Sequence, residues 1–526
     1  MRSLAFLVCL AAPVTLAPEP AHALRTREPA LAGTWYPQGR VALTAAAHLL
    51  MRIGATGAPV PSRPAVLVVP HAGWNYSGAA AGTAFRLLKP GDFERVVVVG
   101  PSHHQAFAGY ALDDAAAYRT PLGDIPVCEG ANGLLAGPEA KVVPGATAPE
   151  HSVEIELPFL QAALGRFCLV PILVGDTGAD EQRAFAARLS RLDDGRTLFV
   201  FSSDFSHYGA RFDWRPFGAL SPDVKRRLRE TNDRAAAFLA RADAAGFRAY
   251  LRETGNTICG RNGLATMLEL LPRIAAKAHA LTLAHYASSD IPGLEDDGSV
   301  TYVAMAFLRD AAAAPEPLPL VAPPQLEDAP PTAPSLSREE GARLVRLARA
   351  ALATELLGND DVQRELAAFP AGARQELRQG VFVTLNRTDP AEVRAQGKLR
   401  GCIGQPEPTF PLYYGTVTAA LDAALRDPRF EPVRAEELPR LAIEVTVLSP
   451  RRPIGSWREI ELGRHGIVLQ KGERAALFLP QVAPEQGWNV EQTLDALAEK
   501  AGLPRDAWRE GARLSVFTGQ VFEERR

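Results

Sequence analysis

Residues 96–104 read Val-Val-Val-Val-Gly-Pro-Ser-His-His, an apolar, β-branched run that ends in a turn and two histidines. Such a run is typical of a strand buried on both faces of a parallel sheet. The pattern recurs where residues 66–71 read Val-Leu-Val-Val-Pro-His, and residues 198–207 read Leu-Phe-Val-Phe-Ser-Ser-Asp-Phe-Ser-His. Functional side chains in open α/β sheets follow the carboxyl ends of the strands, so we predict that His71, His103 and His207 converge at one edge.

Helix-like segments separate these strands throughout the first 310 residues. Strands that alternate with helices indicate βαβ units, so we predict an α/β domain with a mainly parallel sheet and flanking helices. The helices expected from the sequence are Arg40–Ile53, Gly78–Leu88, Glu181–Leu192 and Pro222–Ala240, and two later strands are expected at Ala280–Tyr286 and Val300–Phe307.

A segment rich in alanine and proline, residues 311–335, divides the chain. This composition cannot build a core, and we expect a mobile linker between two separable domains, residues 27–310 and 336–526. The second domain opens with a capping box from Ser337 to Glu340. Its strands and helices follow in irregular order, which favours an α+β fold.

The composition is that of a soluble globular protein with enough apolar material for two cores. The chain has 526 residues, 47% hydrophobic and 22% charged, with a net charge of -3. Lys and Arg are spread along the chain and form no basic arm, which argues against nucleic acid as a partner.

The first 23 residues have the three parts of a secretory signal peptide. Arg2 precedes an apolar run from Leu4 to Ala17, and Ala21-His22-Ala23 provides a cleavage site. The run is shorter than the roughly 20 apolar residues that a stable membrane span needs. We therefore expect cleavage after Ala23 and export, to the periplasm; the alternative is a cytoplasmic protein with an uncleaved start.

Four residues are the main candidates for metal chemistry: His71, His103, His207 and Cys259, the last in Thr-Ile-Cys-Gly at residues 257–260. Imidazole and thiolate ligands suit iron, copper or zinc rather than magnesium or calcium. Each residue taken singly could instead be a packed or hydrogen-bonded structural residue. The repetition of histidine after strand ends favours the functional interpretation.

Six motifs in the first domain resemble the Memo-like family in order and separation. They are Gly-Thr-Trp-Tyr-Pro at 33–37, PHAGWNYSG at 70–78, GPSHH at 100–104, EHSVEIELPFL at 150–160, SSDFSHYG at 202–209 and TICG at 257–260. That family resembles class III extradiol dioxygenases in fold. The resemblance implies a metal held by His71, His103 and Cys259, with Asp204 and His207 beside it.

The resemblance also implies roles for the neighbouring side chains. His207 would serve as general base or acid, and Asp204, three residues before it, would orient it in a hydrogen-bonded pair or carry a proton. His151 and Tyr76 would support the site from around the metal. Iron is the expected metal, with copper or zinc as alternatives. A cysteine where the dioxygenases use a carboxylate departs from their pattern and leaves ordinary ring cleavage in doubt.

Three functions fit this set of residues at this stage. The first is a dioxygenase-like oxidoreductase that acts on an unknown small molecule or peptide. The second is a zinc-dependent hydrolase in which the same ligands activate water. The third is a non-catalytic module that binds a metal or a peptide.

The second domain contains Leu-Arg-Gly-Cys-Ile-Gly at residues 399–404. Cys402 could be a nucleophile or redox thiol whose pKa is lowered by Arg400 or His465, or it could simply be packed. This motif, together with DPRFEPV, EELPRL and LPQVAPEQGW, resembles the AMMECR domain family. The two domains together resemble a fusion of two components of the AmmeMemoRadiSam system, which implies a radical-SAM protein as a further partner.

Overall fold

The computed structural model describes residues 25–52, 62–291, 298–309, 335–359, 361–368, 379–406, 411–472 and 474–524. The predicted signal peptide and the linker up to residue 334 lie outside the described residues. Within these ranges, no helix is both long enough and apolar enough to cross a membrane.

The first domain consists of short and medium strands interleaved with helices. Its strands are β1 (Thr26–Arg27), β2 (Pro64–Val69), β3 (Arg95–Pro101), β4 (Tyr110–Leu112), β5 (Ala117–Thr120), β6 (Gly123–Pro126), β7 (Ala140–Val142), β8 (Cys168–Val174), β9 (Thr197–Ser202), β10 (His207–Tyr208), β11 (His279–Ala287) and β12 (Ser299–Leu308). Its helices are α1 (Arg40–Arg52), α2 (Trp74–Phe85), α3 (Ala131–Leu135), α4 (His151–Glu154), α5 (Leu157–Leu164), α6 (Ala179–Leu189), α7 (Pro222–Ala240), α8 (Ala244–Thr254) and α9 (Arg261–Ile274).

A mixed sheet of nine strands, counted over the described residues, forms the centre of this domain. Its order is β10-β12-β2-β9-β3-β8-β4-β7, and β11 pairs with β12. The four central strands β2, β9, β3 and β8 are parallel, whereas β12 and β4 run antiparallel to their neighbours β2 and β8. The predicted parallel sheet is therefore confirmed at the centre but not at the edges, where β11 and β12 are joined by a connection too short for a parallel crossover.

The sheet has a hydrophobic core on each face, because alternate residues of a strand point to opposite sides. On β2, Leu67 and Val69 belong to one apolar cluster with α1, α2 and α5. Val66 and Val68 belong to a second cluster that includes α6 and α9. This double burial explains why the strands read as uninterrupted apolar runs.

The second domain contains two sheets of four strands each within the described part of the chain. Its strands are β13 (Val381–Arg387), β14 (Leu399–Gln405), β15 (Leu441–Leu448), β16 (Arg452–Ile454), β17 (Gly466–Lys471), β18 (Arg474–Phe478), β19 (Arg513–Phe517) and β20 (Gly519–Glu523). Its helices are α10 (Arg338–Leu357), α11 (Asp361–Ala367), α12 (Pro390–Gln396), α13 (Leu412–Leu425), α14 (Val482–Gln486) and α15 (Val490–Lys500). The strand orders are β14-β13-β15-β20 and β16-β19-β17-β18, with α10 and α13 packed on the first sheet and α15 on the second.

The two domains are in direct contact. Helix α1 of the first domain packs against α10, α11 and α13 of the second. The guanidinium of Arg52 donates from Nη1 to the carbonyl oxygen of Leu366 at 2.6 Å. The contact adds a packed interface to the two-domain organisation expected from the sequence.

Two cysteines of the first domain form a disulfide. Cys128 and Cys168 are bonded, with their Cα atoms 5.0 Å apart, while Cys259 and Cys402 are free thiols. The amide of Cys128 also donates to the carbonyl oxygen of Leu169 at 2.8 Å. Cys168 is the first residue of β8, so the disulfide ties this strand to Cys128.

A buried ion pair fixes the segment that precedes α1. The Glu154 carboxylate pairs with Arg27, and both side chains are almost completely buried. The same carboxylate accepts hydrogen bonds from the amide of Leu31 at 2.9 Å and from the hydroxyl of Tyr36 at 2.6 Å. The sequence suggested for Glu154 only a favourable charge at a helix start; the structure makes it the anchor of residues 27–36.

Replacing Glu154 by glutamine should lower the free energy of unfolding by about 3–5 kcal/mol, because Arg27 would remain buried without a counter-charge. The measurement is urea unfolding of wild type and variant. Glu230→Gln is the matched control: it removes one partner of the exposed Arg226–Glu230 pair and should change stability by at most about 1 kcal/mol. Equal effects of the two substitutions would contradict the anchoring role of Glu154.

Candidate metal centre

The residues that follow three adjacent parallel strands lie at one edge of the sheet. Val69 at the end of β2 is in register with Ser202 at the end of β9, and Val99 of β3 is in register with Phe201. His71 and His103 follow β2 and β3, and their rings meet edge to face with centroids 5.2 Å apart. Of the three strand-end histidines, His71 and His103 therefore lie side by side at this edge.

A third histidine completes a compact cluster. One ring nitrogen from each of His71, His103 and His151 lies within 4.8 Å of the others. His151 is the first residue of α4, and its ring stacks on that of His103 at a centroid distance of 4.2 Å. The sequence placed His151 near the site in a supporting role; the structure places it among the candidate ligand atoms.

Cys259 reaches the cluster from the turn before α9. Its Sγ is 3.1 Å from Nε2 of His71 and 3.4 Å from the carbonyl oxygen of Asp204. Two ligands of one metal, at bond lengths of about 2.0–2.3 Å, are separated by roughly 3.1–3.6 Å. The sulfur–nitrogen separation therefore suits shared coordination, and His71 can form a metal site with Cys259 as well as with the other histidines.

Glu150 holds two of the three histidines. Its Oε2 accepts from the amide of His103 at 2.6 Å, and its Oε1 lies 3.0 Å from Nδ1 of His103 and 3.3 Å from Nδ1 of His151. Burial opposes ionisation, but the hydrogen bonds from His103 lower the pKa of Glu150 to about 2. Because Nδ1 of both His103 and His151 faces this carboxylate, Nε2 of each ring is the atom available to a metal.

Ser202 and Glu156 orient the ring of His71 in the same way. Nδ1 of His71 is 2.7 Å from Oγ of Ser202, whose hydroxyl donates to Oε1 of Glu156 at 3.1 Å. Nδ1 is therefore the donor toward Ser202, and Nε2 of His71 carries the lone pair that faces Cys259. Burial raises the pKa of Glu156 well above its usual range.

The charge state of the cluster also suits metal binding. Burial, followed by repulsion from His103, His151 and His207, holds the pKa of His71 well below its usual value. Burial is also the main reason that the pKa of His151 falls to about 4. At neutral pH these imidazoles are neutral, as metal ligands must be. Burial and the nearby Asp204 carboxylate raise the pKa of the Cys259 thiol, which is protonated without a metal.

Asp204 and His207 do not form the hydrogen-bonded pair predicted from their spacing. Oδ1 of Asp204 accepts from the amide of His71 at 2.8 Å. Nδ1 of His207 lies 3.0 Å from the carbonyl oxygen of Phe205 and 3.3 Å from that of Thr257. The prediction was wrong because β10 starts at His207, and the extended backbone there turns the imidazole toward these carbonyl groups.

The hydrogen bonds of His207 nevertheless fix its tautomer. Carbonyl oxygens only accept, so Nδ1 of His207 carries the proton and Nε2 is a free acceptor. His207 is close enough for its charge to lower the pKa of His71. Its Nε2 is thus a base placed beside the cluster.

The donor set fits iron, copper or zinc. Imidazole nitrogen and thiol sulfur are soft or borderline donors, and the outer hydrogen bonds fix the ring orientations. His71, Glu156 and Asp204 are almost completely buried, whereas His103 is partly accessible. An ion held here would have protein on one side and an open face on the other.

Two open cavities border the cluster. One, of about 550 Å³, has the aromatic walls Trp35, Tyr76 and Tyr302, with Arg211 at its edge. Trp35 also packs on the ring of His151 at a centroid distance of 4.7 Å. Tyr76, expected to support the site from around the metal, lies 42% exposed on this cavity wall.

The second cavity, of about 570 Å³, opens on the other side of the cluster. His103 and Cys259 form part of its wall, together with Asp176, Arg261 and Asn262. The cluster is therefore approached from an aromatic side and from a polar side.

Cys402 lies apart from this cluster, on β14 of the second domain. The hydroxyl of Thr384 donates to its Sγ at 3.3 Å, and burial raises the pKa of the thiol. The partners suggested by the sequence are occupied elsewhere: Arg400 pairs with Glu437, and His465 accepts from the amide of Glu461. These contacts favour a protonated, packed thiol over an activated nucleophile.

The sequence did not reveal the residues that orient the histidine rings by hydrogen bonding: Glu150, Ser202 and Glu156. Glu150 resembled a residue that favours a helix start, and it does accept from the amides of His151 and Ser152. Ser202 and Glu156 gave no signal, because a serine at a strand end and an acid before an apolar helix are common. Only the folded arrangement shows that they hydrogen-bond, directly or through Ser202, to the rings of candidate ligand histidines.

Comparison with known proteins accounts for both parts of the chain. A family model described as Memo-like protein matches residues 27–306, more than half of the chain. The chain belongs to the Memo-like family. A second family model, described as AMMECR1, matches residues 345–522, so a Memo-like domain is fused here to an AMMECR1 domain.

Individual relatives correspond to one domain each. The chain is 32% identical over 286 residues to the protein memo-1 homolog of Caenorhabditis elegans, covering 53% of this chain and 81% of that protein. It is 43% identical over 199 residues to a protein of Thermofilum pendens, covering 36% of this chain and 92% of that protein. Among solved structures, the uncharacterized protein PH0010 from Pyrococcus horikoshii shares 41% identity with a TM-score of 0.32, over 36% of this chain and 93% of that chain.

Proton release distinguishes the two ligand sets of the Memo-like domain. If Cys259 is a ligand, binding of Fe(II) at pH 7 should release about one proton, because the thiol must ionise whereas His71, with a pKa well below its usual value, is already neutral. Affinity should then rise about tenfold per pH unit near neutrality, below the raised pKa of Cys259. Cys259→Ser should release about none. Anaerobic calorimetry in two buffers of different ionisation enthalpy measures this, and wild-type binding without proton release would favour the three histidines alone.

Proposed function

We propose that the Memo-like domain is a metal-dependent, dioxygenase-like oxidoreductase with iron, or alternatively copper, held by His71, His103 and Cys259. The observation that supports this most directly is the 3.1 Å approach of Cys259 Sγ to Nε2 of His71, a histidine that also belongs to the cluster with His103 and His151. Bound iron or copper would supply redox chemistry and coordination positions open to a substrate.

The two cavities support a substrate site at the accessible face of the cluster. The aromatic walls Trp35, Tyr76 and Tyr302 suit a flat or apolar part of a small molecule or peptide side chain. Walls of this kind with a few polar groups are typical of ligand sites. The reacting group of the substrate would lie next to His71 and His103.

His207 would move the proton of a bound substrate in this proposal. Its Nδ1 is held by two carbonyl oxygens, and its Nε2 is a free acceptor. A hydroxyl group placed near the cluster could transfer its proton to that nitrogen. In this role His207 would be essential for turnover without being a metal ligand.

Three substitutions separate these roles by metal affinity. His71→Ala removes a ligand and should weaken Fe(II) binding by more than about 100-fold. Glu150→Gln keeps the ligands but removes the carboxylate that orients His103 and His151. It should weaken Fe(II) binding about 10–100-fold. His207→Ala should weaken it less than about tenfold while abolishing turnover. Competition against a chelator under anaerobic conditions measures the affinities.

The exposed substitution Glu253→Gln is the control for these variants and should leave the affinity unchanged. Loss of the metal in His207→Ala would make His207 a ligand and contradict the assigned roles. Metal analysis of anaerobically purified protein tests the choice of metal. Stoichiometric zinc, with no binding of iron or copper, would favour a hydrolase instead.

We also propose that the protein is exported and works in an oxidising compartment. The signal-like sequence at residues 1–23 motivates the proposal, and the Cys128–Cys168 disulfide supports it, because such bonds persist mainly in oxidising compartments. A radical-SAM partner of the same system remains a separate proposal, supported by the union of these two domain families in one chain.

Thiol counting tests the redox state of the exported chain. After denaturation without reductant, the mature protein should show two reactive thiols, Cys259 and Cys402, and reduction should expose Cys128 and Cys168 as well. The count is made by alkylation and mass spectrometry of protein from the cell envelope. Four free thiols in the unreduced protein, or a chain that retains Met1, would contradict export.

A further inference from the structure

Helix α1 is buried on more than one side. Surface helices usually bury a single apolar stripe. In α1, most residues are buried, and they do not share one stripe: Val41, Leu43, Thr44, Ala45, Ala46, Ala47, Leu49 and Met51. The helix therefore packs against neighbours on more than one side.

The first partner is α2 of the same domain. The backbone of α1 passes so close to Gly82 that an added Cβ there would lie 2.3 Å from the carbonyl oxygen of Leu50. A Cβ on Gly78 would meet the Leu50 side chain at 2.8 Å. The side of α1 that includes Leu50 thus belongs to the core of the Memo-like domain.

The opposite side of α1 carries a second stripe. Residues 41, 45, 48 and 52 are spaced four, three and four apart, which places them on one face of a helix, turned away from Leu50. Val41 and Ala45 are completely buried. Nε2 of His48 is buried and has no hydrogen-bond partner among the described residues. The stripe ends at Arg52, whose guanidinium contacts Leu366 of the second domain.

The AMMECR1 domain presents a matching surface. Helix α13 packs on β13, β14 and α10 of its own domain and on α1 across the domain boundary, and most of its residues are buried. On α11, Val362 and Leu366 lie one turn apart and are both buried. Without α1, part of this apolar surface would face water.

A polar contact gives the surface a fixed orientation. The carbonyl oxygen of Leu366 lies in the last turn of α11, where helix carbonyl groups lack partners within the helix. Arg52 donates to it at 2.6 Å and brings a positive charge to the negative end of the helix. The first domain thus caps a helix of the second.

From these contacts we propose that the stripe of α1 (Val41, Ala45, His48, Arg52) and the surface formed by α10, α11 and α13 are a specific docking pair. The pair holds the two domains together without the linker. This interface is independent of the proposed metal chemistry.

Cleavage of the full-length chain tests the proposal. A site for a specific protease is inserted between residues 311 and 334, the intact protein is purified and cut, and the fragments are analysed by size-exclusion chromatography at about 1 µM, where submicromolar complexes persist. The two wild-type fragments should elute together at the position of the uncut chain. Separation of the wild-type fragments, whatever the state of each, would overturn the proposal.

Charge substitutions on α1 localise the interface. His48→Glu with Arg52→Glu places negative charge against the carbonyl end of α11 and should raise the dissociation constant by at least about 100-fold, so that the cut fragments separate. Arg40→Glu makes the charge change of Arg52→Glu at an exposed position of the same helix and should leave the fragments together. Circular dichroism before cleavage confirms that each variant folds. Fragments of a folded double variant that stay together as tightly as wild type would refute the assigned surface.

Discussion

The parallel register of β2, β9 and β3 is the constraint on which the metal centre depends. Because these strands run in the same direction and pair residue for residue, their carboxyl ends coincide. The residues that follow them, His71, Asp204 and His103, therefore meet above one edge. An antiparallel neighbour in the middle of this sheet would have sent one of them to the opposite edge of the domain.

Hydrogen bonds to the histidine rings orient the side chains that meet at this edge. Glu150 orients His103 and His151, and the Ser202–Glu156 pair orients His71. Burial keeps His71 neutral and the Cys259 thiol protonated. These hydrogen bonds fix the ring orientations of the candidate ligands, whose nitrogen and sulfur donors suit iron, copper or zinc.

Sequence patterns predicted what depends on local structure. The buried strands, the helix α7 from Pro222 to Ala240 and the histidines at strand ends were all predictable, because each rests on residues close together in the chain. The antiparallel edges, the stacking of His151 on His103 and the Cys128–Cys168 disulfide depend on segments brought together only by folding. The burial of the second face of α1 likewise depends on the AMMECR1 domain packing against it.

X-ray absorption spectroscopy of the Fe(II)-loaded chain, prepared without oxygen, tests the proposed metal centre most directly. One equivalent of iron should show a sulfur neighbour from Cys259 and multiple scattering from the imidazoles of His71 and His103. Cys259→Ser should lose the sulfur contribution and keep the imidazole signal. Iron surrounded only by oxygen neighbours, or bound without fixed stoichiometry, would contradict a metal centre at the converging strand ends.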